Sequence, residues 1–413
     1  MIGSSASTAE RGESKSRLGA RFWRLWWANA INSVGDGAFV AAMPLLAVTV
    51  TRDPVMISLI SVGEYLPWLV VSLPAGVYVD RHDRATLMWR CQAVQALIVA
   101  LVAATALLHI VTIAELIIAS FLLGCAQVVI TNAAQAVLPE LVPAAALQQA
   151  NSNQYTVQTV GQSSAGPPLG SIMFAVAAPL PFGVDAVSFI VSAALLASLP
   201  QVRVDRKQVP MRTAVPEGLR WLLGHRLLRT LALLLGLNTF CNQMGFATLV
   251  LLGKLTLHLT SAEYGLLLVG VGVGSVIGGL INTRLARRFG ALPTFVGALA
   301  ANAVLYAGMG LASNGVVLGV LIALSGLVIT VSSVVTVSMR QQLTPNELFG
   351  RVNSVFRMIG WGLMPLGALA GGFLAQLFGF RAPFVIAGAI RAVVLVAMVP
   401  ILVDEMRAVH VKV

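Results

Sequence analysis

Leu141-Val142-Pro143, followed by Asn151-Ser152, returns as Leu343-Thr344-Pro345, followed by Asn353-Ser354. The copies stand 202 residues apart, and the same offset carries Gly76, which opens a short charged stretch, onto Gly278, which opens another. In a chain of 413 residues, an echo at half length marks a duplicated structure. The chain is 57% hydrophobic and 10% charged, whereas soluble domains carry roughly 25% charged residues. Such a chain cannot cover itself with a polar surface, which points to a bilayer.

Apolar runs alternate with short charged breaks. Each run has about 20 residues, the length that crosses a hydrocarbon core as a helix. A helix satisfies its own backbone polar groups in lipid, and membrane strands would alternate polar and apolar residues, which these runs do not. The pattern predicts an all-α membrane protein of twelve spans, near 25–48, 55–79, 87–108, 112–136, 152–176 and 182–199, then 229–251, 262–283, 291–312, 315–337, 351–376 and 381–402. The implied organisation is an N-terminal tail (1–24), a six-helix half (25–199), a linker (200–228), a second six-helix half (229–402) and a C-terminal tail (403–413). Such paired bundles are most often secondary transporters, with a cavity between the halves at mid-depth.

The net charge of +11 reads as topology. With twelve spans and both termini inside, Arg52, Lys254 and Arg381 alone fall in outer loops, and Arg391 lies inside the last span; every other Lys and Arg is cytoplasmic. A span count wrong by one would erase that asymmetry. The location implied is the plasma membrane, with anionic lipids of the inner leaflet as partners. The basic residues are scattered over six segments, which argues against nucleic-acid binding. Cys91, Cys125 and Cys241 lie in apolar spans without metal-ligand spacing and read as small core hydrophobes. The segment from Pro216 to Arg229 suits an amphipathic helix on the inner leaflet, as a tether or a lid. No phosphate-binding loop ends in Gly-Lys-Ser or Gly-Lys-Thr, and no nucleophile or metal constellation suggests an enzyme or a cofactor.

Between the second and third spans runs Gly76-Val77-Tyr78-Val79-Asp80-Arg81-His82-Asp83-Arg84. Here the chain resembles the major facilitator superfamily, whose signature in this loop is met by Gly76, Asp80, Arg81 and Arg84. It departs at Asp83, where Gly is usual, and at Ala85, where a basic residue is common. The resemblance implies the twelve-helix fold and a conformational latch. Asp80 would face the N-terminal end of the eleventh helix, Arg84 would meet a cytoplasmic carboxylate, and Arg351 would either join them or serve as a positive-inside anchor. The echo has Asn282 where Asp80 stands, so the second copy has lost its acid. The runs Leu138-Pro139-Glu140-Leu141-Val142-Pro143 and Gly350-Arg351-Val352-Asn353-Ser354 resemble the branch holding siderophore and macrolide exporters. Span five carries Gly161 and Gly166-Pro167-Pro168-Leu169-Gly170, small residues that admit a neighbouring helix and prolines that bend one; its likeness to the exporters' Gly-Pro motif implies export. The Arg that drug exporters place in span four, four residues before a Gly, is absent, because Ser120 precedes Gly124.

Of sixteen acids, the spacing places only Asp36 and Glu64 inside spans; Asp53, Glu115, Asp185 and Glu263 are expected at or near the outer face. A carboxylate within a span costs on the order of 2.5–3.5 kcal/mol, and burial disfavours its charged form. Asp36, beside Asn32, Ser33 and Gly35, is the first choice for a proton-coupling site and Glu64 the second; a hydrogen-bonded structural acid remains the alternative for each. Asn29, Asn32, Asn238, Asn242 and Gln243 are candidate cavity liners, with Asn32 and Asn242 at matching places before Gly35 and Gly245. Trp26, Trp68, Trp221 and Trp361 are expected as interface anchors, and Arg391 as a structural or lipid-facing residue. Together these readings predict a monomeric exporter that expels a drug, siderophore or other amphiphilic metabolite against protons. Uptake on the same fold, lipid flipping and a non-transporting sensor stay open.

Overall fold

The structure, a computed structural model, describes residues 18–143, 146–199 and 219–410. Most of the expected N-terminal tail, linker residues 200–218 and the last three residues lie outside that range, as do the side chains of Asp80, Glu140, Glu347 and residues 401–410.

Among the described residues every regular element is helical. In chain order they are α1 (Ala20–Val50), α2 (Pro54–Val70), α3 (Ser72–Arg81), α4 (Arg84–Leu107), α5 (Ile113–Leu141), α6 (Leu147–Val160), α7 (Gly166–Val176) and α8 (Leu180–Ala197). After the linker come α9 (Arg226–Phe246), the short α10 (Leu249–Leu251), α11 (Ser261–Phe289), α12 (Ala291–Leu311), α13 (Gly315–Leu343), α14 (Asn346–Gly362), α15 (Met364–Phe378) and α16 (Ala382–His410). Ten helical stretches are long and apolar enough to cross a membrane.

The ends follow from local chemistry. Asp53 caps α2 by accepting from Val55 N at 2.9 Å. Asp83, the departure from the loop signature, caps α4 by accepting from Thr86 N at 2.7 Å. Thr260 and Glu263 form a reciprocal capping box on α11, and Gly379 ends α15 at φ +87°.

Four of the expected spans are broken, among them residues 229–251, which divide at Ala247 and Thr248 between α9 and α10. Residues 55–79 divide at Val71 into α2 and α3. Residues 152–176 divide into α6 and α7 around a π-helical turn at Gly161–Ala165, ahead of Pro167 and Pro168. Residues 351–376 divide at Leu363, before Pro365. Proline cannot donate to the preceding turn, which explains the last two breaks. The expected linker helix is also interrupted: residues 219–224 are helical, His225 is not, and α9 begins at Arg226. Leu222 and Leu227 are buried in a core, with only Leu219 and Leu223 of that face exposed, so this stretch is built into the bundle.

One end of the bundle carries the Arg-rich connections, including Arg81, Arg84, Arg284, Arg287, Arg288 and Arg351; it is called the basic end below. At the opposite end a single apolar core is continuous, joining Ala41–Ala47, Ile57, Phe182 and Phe189 to Met244, Leu249–Leu252, Tyr264 and Phe384. At the basic end there are two cores. One holds Phe22, Leu25, Met88, Val137 and Leu196; the other holds Leu228, Leu231, Phe295, Val352 and Phe356. The helices therefore converge at one end and part at the other.

Close helix crossings hold the convergent end. A Cβ on Gly372 of α15 would stand 2.2 Å from Ser58 Oγ of α2, and one on Gly265 of α11 would stand 2.4 Å from Ser171 Cβ of α7. Within the first part of the chain, Gly166 lies against Gly37 and Val34 O, Gly161 against Ser33, and Gly170 against the Ala38 backbone. The Gly-Pro stretch of the sequence thus packs on α1, where small residues let two backbones meet.

Candidate functional site

Behind the first basic-end core lies a cavity in two connected parts, the outer lined by the first half alone and the inner reaching the second half, with amide and acid groups set in a mainly apolar lining. The outer part, about 310 Å³, is walled by the basic-end turns of α1, α4, α5, α6 and α8. The inner part, about 490 Å³, reaches Asp36, Glu64, Tyr65, Trp68, Asp185, Arg357 and Trp361. Asp36, Gln127, Thr131, Gln135, Gln158 and Gln162 border both parts.

Asp36 stands where they join. Its Oδ2 accepts from Asn32 Nδ2 at 3.0 Å and from Gln162 Nε2 at 3.1 Å. Asn32 is one turn earlier on α1, while Gln162 belongs to the π turn, whose extra residue per turn changes the direction of its side chains. Asn29 donates to Gln154 Oε1 at 2.7 Å, so α1 and α6 are joined by amides along the cavity wall. Gln154, Gln158 and Gln162 follow one another at four-residue intervals, on one helical face.

Glu64 borders the inner cavity and a small 40 Å³ space beneath it, which Ser120 and Phe246 also line. Both expected proton-coupling acids are therefore on the cavity. Asp185 joins them, contrary to its expected outer-face position: it is 1% exposed and borders the inner part. Five residues of apparent depth are misleading here, because the first turns of α8 pack within the convergent core through Phe182 and Phe189. Among the described residues no cation is paired with any of the three acids, and no group of His, Cys, Asp or Glu is arranged to hold a metal.

The remaining candidates divide. Asn29 and Asn32 line the cavity. Asn238, Asn242 and Gln243 do not border either part. The Asn238 carbonyl accepts from Arg391 at 3.1 Å, Asn242 Oδ1 accepts from the Tyr306 hydroxyl, and Gln243 is 3% exposed. The Asn238 and Asn242 face of α9 turns toward α16 and α12, so these two residues serve packing between helices. Arg391 is 5% exposed and lies 3.7 Å from the Tyr306 ring centroid, so it is interior, not lipid-facing. Trp68 and Trp361 are likewise no interface anchors. Their rings lie 4.2 Å apart, tilted by 36°, on the cavity wall. Trp26 donates to Asn153 O at 3.3 Å, and Trp221 packs against His225.

Arg357 was expected at the cytoplasmic margin. It borders the inner cavity and donates to Gln135 Oε1 at 3.4 Å, linking α14 to α5. Of the loop residues, Gly76 and Arg351 are half-buried, Arg81 is exposed and Arg84 is 6% exposed at the start of α4. Asp80 lies outside the described side chains. The four-residue spacing of Gln154, Gln158 and Gln162 was a sequence signal for the amide-lined wall; nothing comparable pointed to Asp185 or Arg357.

The chain matches a family profile described as transmembrane secretion effector over residues 18–412. It is 25% identical over 364 residues to the multidrug efflux pump Tap of Mycolicibacterium fortuitum, covering 85% of this chain and 88% of that relative. It is 22% identical over 404 residues to macrolide efflux protein A of Streptococcus pyogenes, covering 95% and 98%. The crystal structure of a bacterial homologue of the iron transporter ferroportin in an inward-facing state shares the fold, with a TM-score of 0.70 at 18% identity over 91% of this chain and 98% of that one. Taken with the all-helical bundle and its acid-bearing cavity, the match over nearly the whole length shows that this chain belongs to the transmembrane secretion effector family of major facilitator superfamily transporters.

Proposed function

We propose that the chain is a proton-coupled exporter of amphiphilic organic molecules, working by alternating access. The observation that carries this reading is Asp36. Two amides hold its carboxyl at the neck of a cavity that is open between two cores at the basic end and closed at the other. By the positive-inside rule the basic end is cytoplasmic, both termini are inside, and the membrane is the plasma membrane. The arrangement then corresponds to an inward-facing state, ready to take a molecule from the cytoplasm or the inner leaflet.

In this reading the broken pairs α2–α3 and α6–α7 add one span each to the ten long apolar stretches, giving twelve, and the two basic-end cores belong to six-helix halves on either side of the linker. The cavity offers acids, amides and the Trp68–Trp361 pair. Carboxyl groups and aromatic faces favour an organic cation such as a protonated amine over an anion. Binding of the cation and of a proton to the same acids would be alternatives, which makes exchange obligatory. Relatives named for multidrug and macrolide efflux support export of a drug or secondary metabolite. Gly76, Asp80, Arg81, Arg84 and Arg351 would form the inner latch, closing when the halves rock together. The working unit is a monomer in contact with anionic lipids.

Expression in an efflux-deficient bacterial host, with inverted vesicles under an acid-inside gradient, tests the proposal. Ethidium should accumulate in the vesicles and leave when the gradient is collapsed. Uptake in the reverse direction supports an importer instead, and translocation of a fluorescent lipid without ethidium transport supports a flippase. Asp36→Asn should abolish gradient-driven accumulation in a protein that still reaches the membrane; transport at the wild-type rate at every pH would place coupling elsewhere.

A further inference from the structure

Asp185 is the buried acid that the exporter reading leaves without a role. It sits on α8 where that helix crosses α1, directly against Gly35. A Cβ at Gly35 would stand 2.2 Å from Asp185 Oδ1 and 2.4 Å from Ser188 Oγ. The missing side chain of Gly35 therefore makes the notch that receives the carboxyl, one residue before Asp36. Within that notch Oδ1 is 3.1 Å from the Ser188 hydroxyl, which is also 2.8 Å from the Asp185 carbonyl. One hydroxyl hydrogen cannot serve both fully. Oδ2 has no protein donor among the described residues, and the residue borders the inner cavity.

We infer that Asp185 is a second proton-binding site of the transporter, loaded from the inner cavity beside Asp36. A bare carboxylate 1% exposed, with half a hydrogen bond and no counter-ion, is not sustained in such a place. Loading forms an O–H bond at Asp185 Oδ2 as a hydronium ion in the cavity loses its proton to it; unloading is the reverse, to water on the other side after the halves have moved. The proposal rests on the exporter reading for its role in transport, and on the notch and the cavity for its existence.

The surrounding charges are few. From α1 the facing titratable group is Asp36. From α4 the neighbours at this depth are apolar, Val99, Val102 and Ala106, with its Arg84, Arg90 and Cys91 at the basic end. The part of α7 packed on α8 carries no titratable group. Across the cavity stand Glu64, Tyr65 and Arg357. Arg21 and Arg24 of α1 stand at the basic end, and among the described residues no cation adjoins Asp185 from its own or any packed helix, so a proton is the positive charge that can reach it in contact.

Infrared difference spectroscopy of the purified protein in lipid nanodiscs, recorded between acidic and alkaline buffer without substrate, reads the proton itself. The wild type should show a carbonyl stretch from a protonated buried carboxyl that disappears in Asp185→Asn and persists in Asp36→Asn and Glu64→Gln. Ser188→Ala retains the acid and removes its hydroxyl donor, so the same band should move to higher frequency; this variant also serves if Asp185→Asn does not insert. Ethidium accumulation in inverted vesicles should lose one proton's steepness in its pH dependence in Asp185→Asn. Carbonyl bands unchanged by both Asp185→Asn and Ser188→Ala overturn the proposal. Undiminished transport by Asp36→Asn counts against the exporter coupling alone, because the carbonyl band still reports on Asp185.

Discussion

Gln162 donates to the Asp36 carboxyl over 3.1 Å, joining residues 126 positions apart. The contact depends on the π turn: Gly161–Ala165 departs from α-helical winding at the level of Asp36, and the departure aims Gln162 at α1. Single-turn π bulges recur at functional sites because they redirect a side chain without ending the helix.

Replacing Gln162 with Leu should leave the bundle intact and impair transport. Hydrogen bonds to charged groups contribute about 1.5–3 kcal/mol, so loss of this one predicts a fall of roughly tenfold or more in coupled ethidium transport. Gln162→Glu should also fail, because it places a second acid on Asp36. Gln162→Asn, one carbon shorter, should recover little. Initial rates in inverted vesicles, normalised to protein in the membrane, check this; near wild-type rates for the Leu variant would remove Gln162 from the coupling site.

The crossing of α7 over α1 should be intolerant of added volume. A Cβ at Gly170 would lie 2.2 Å from the Ala38 carbonyl oxygen, a backbone atom that cannot swing aside. Gly170→Ala should therefore destabilise by about 1–3 kcal/mol, the range for overpacking. Gly183 on α8 supplies the control, since a Cβ there meets nothing within 4 Å. Gly183→Ala should be neutral or stabilise by up to about 1 kcal/mol through helix propensity. Thermal unfolding in detergent ranks the two; equal melting temperatures would mean that the crossing relaxes at no cost.

Part of this architecture is legible in the sequence, and part is not. The helices and the Arg asymmetry were visible because apolar length and charge are read directly along the chain. Asp36 was visible because an acid flanked by Asn32, Ser33 and Gly35 interrupts an apolar run. Asp185 was not, because its burial depends on Gly35 of another helix and on how far α8 is drawn into the core. Asn238, Asn242 and Gln243 were misplaced for a related reason. Span position gives depth along a helix but not the azimuth of a side chain: Asn238 and Asn242 meet Arg391 and Tyr306, and Gln243 is buried. The stacking of Trp68 with Trp361 joins residues far apart in the chain, and no local pattern announces it.

The tryptophan pair should contribute to recognition. Trp68 and Trp361 come from α2 and α14, and their ring centroids stand 4.2 Å apart on the cavity wall. Truncating one ring removes a face on which a flat or cationic ligand can lie, an interaction of about 0.5–2 kcal/mol. Trp361→Ala should weaken half-saturation for ethidium several-fold, with Trp361→Phe partly restoring it. Ligand titration followed by tryptophan fluorescence measures the change. An unaltered half-saturation in the Ala variant would restrict the pair to holding the helices.

Arg391 should be replaceable. It lies over the Tyr306 ring and donates to the Asn238 carbonyl, but its Nε and Nη1 have no hydrogen-bond partner among the described residues. A buried cation lacking an acid pays for its desolvation with one hydrogen bond and a ring contact, and apolar replacements of buried charges are often neutral or stabilising by about 1–4 kcal/mol. Met has comparable reach and fills irregular space, so Arg391→Met should keep or raise the melting temperature and leave ethidium transport near the wild-type rate. Tyr306→Phe, which removes only the hydroxyl bonded to Asn242, should cost about 1 kcal/mol. A large loss of transport in Arg391→Met with unchanged thermal stability would instead make this cation part of the transport cycle, and that outcome would separate its charge from its packing.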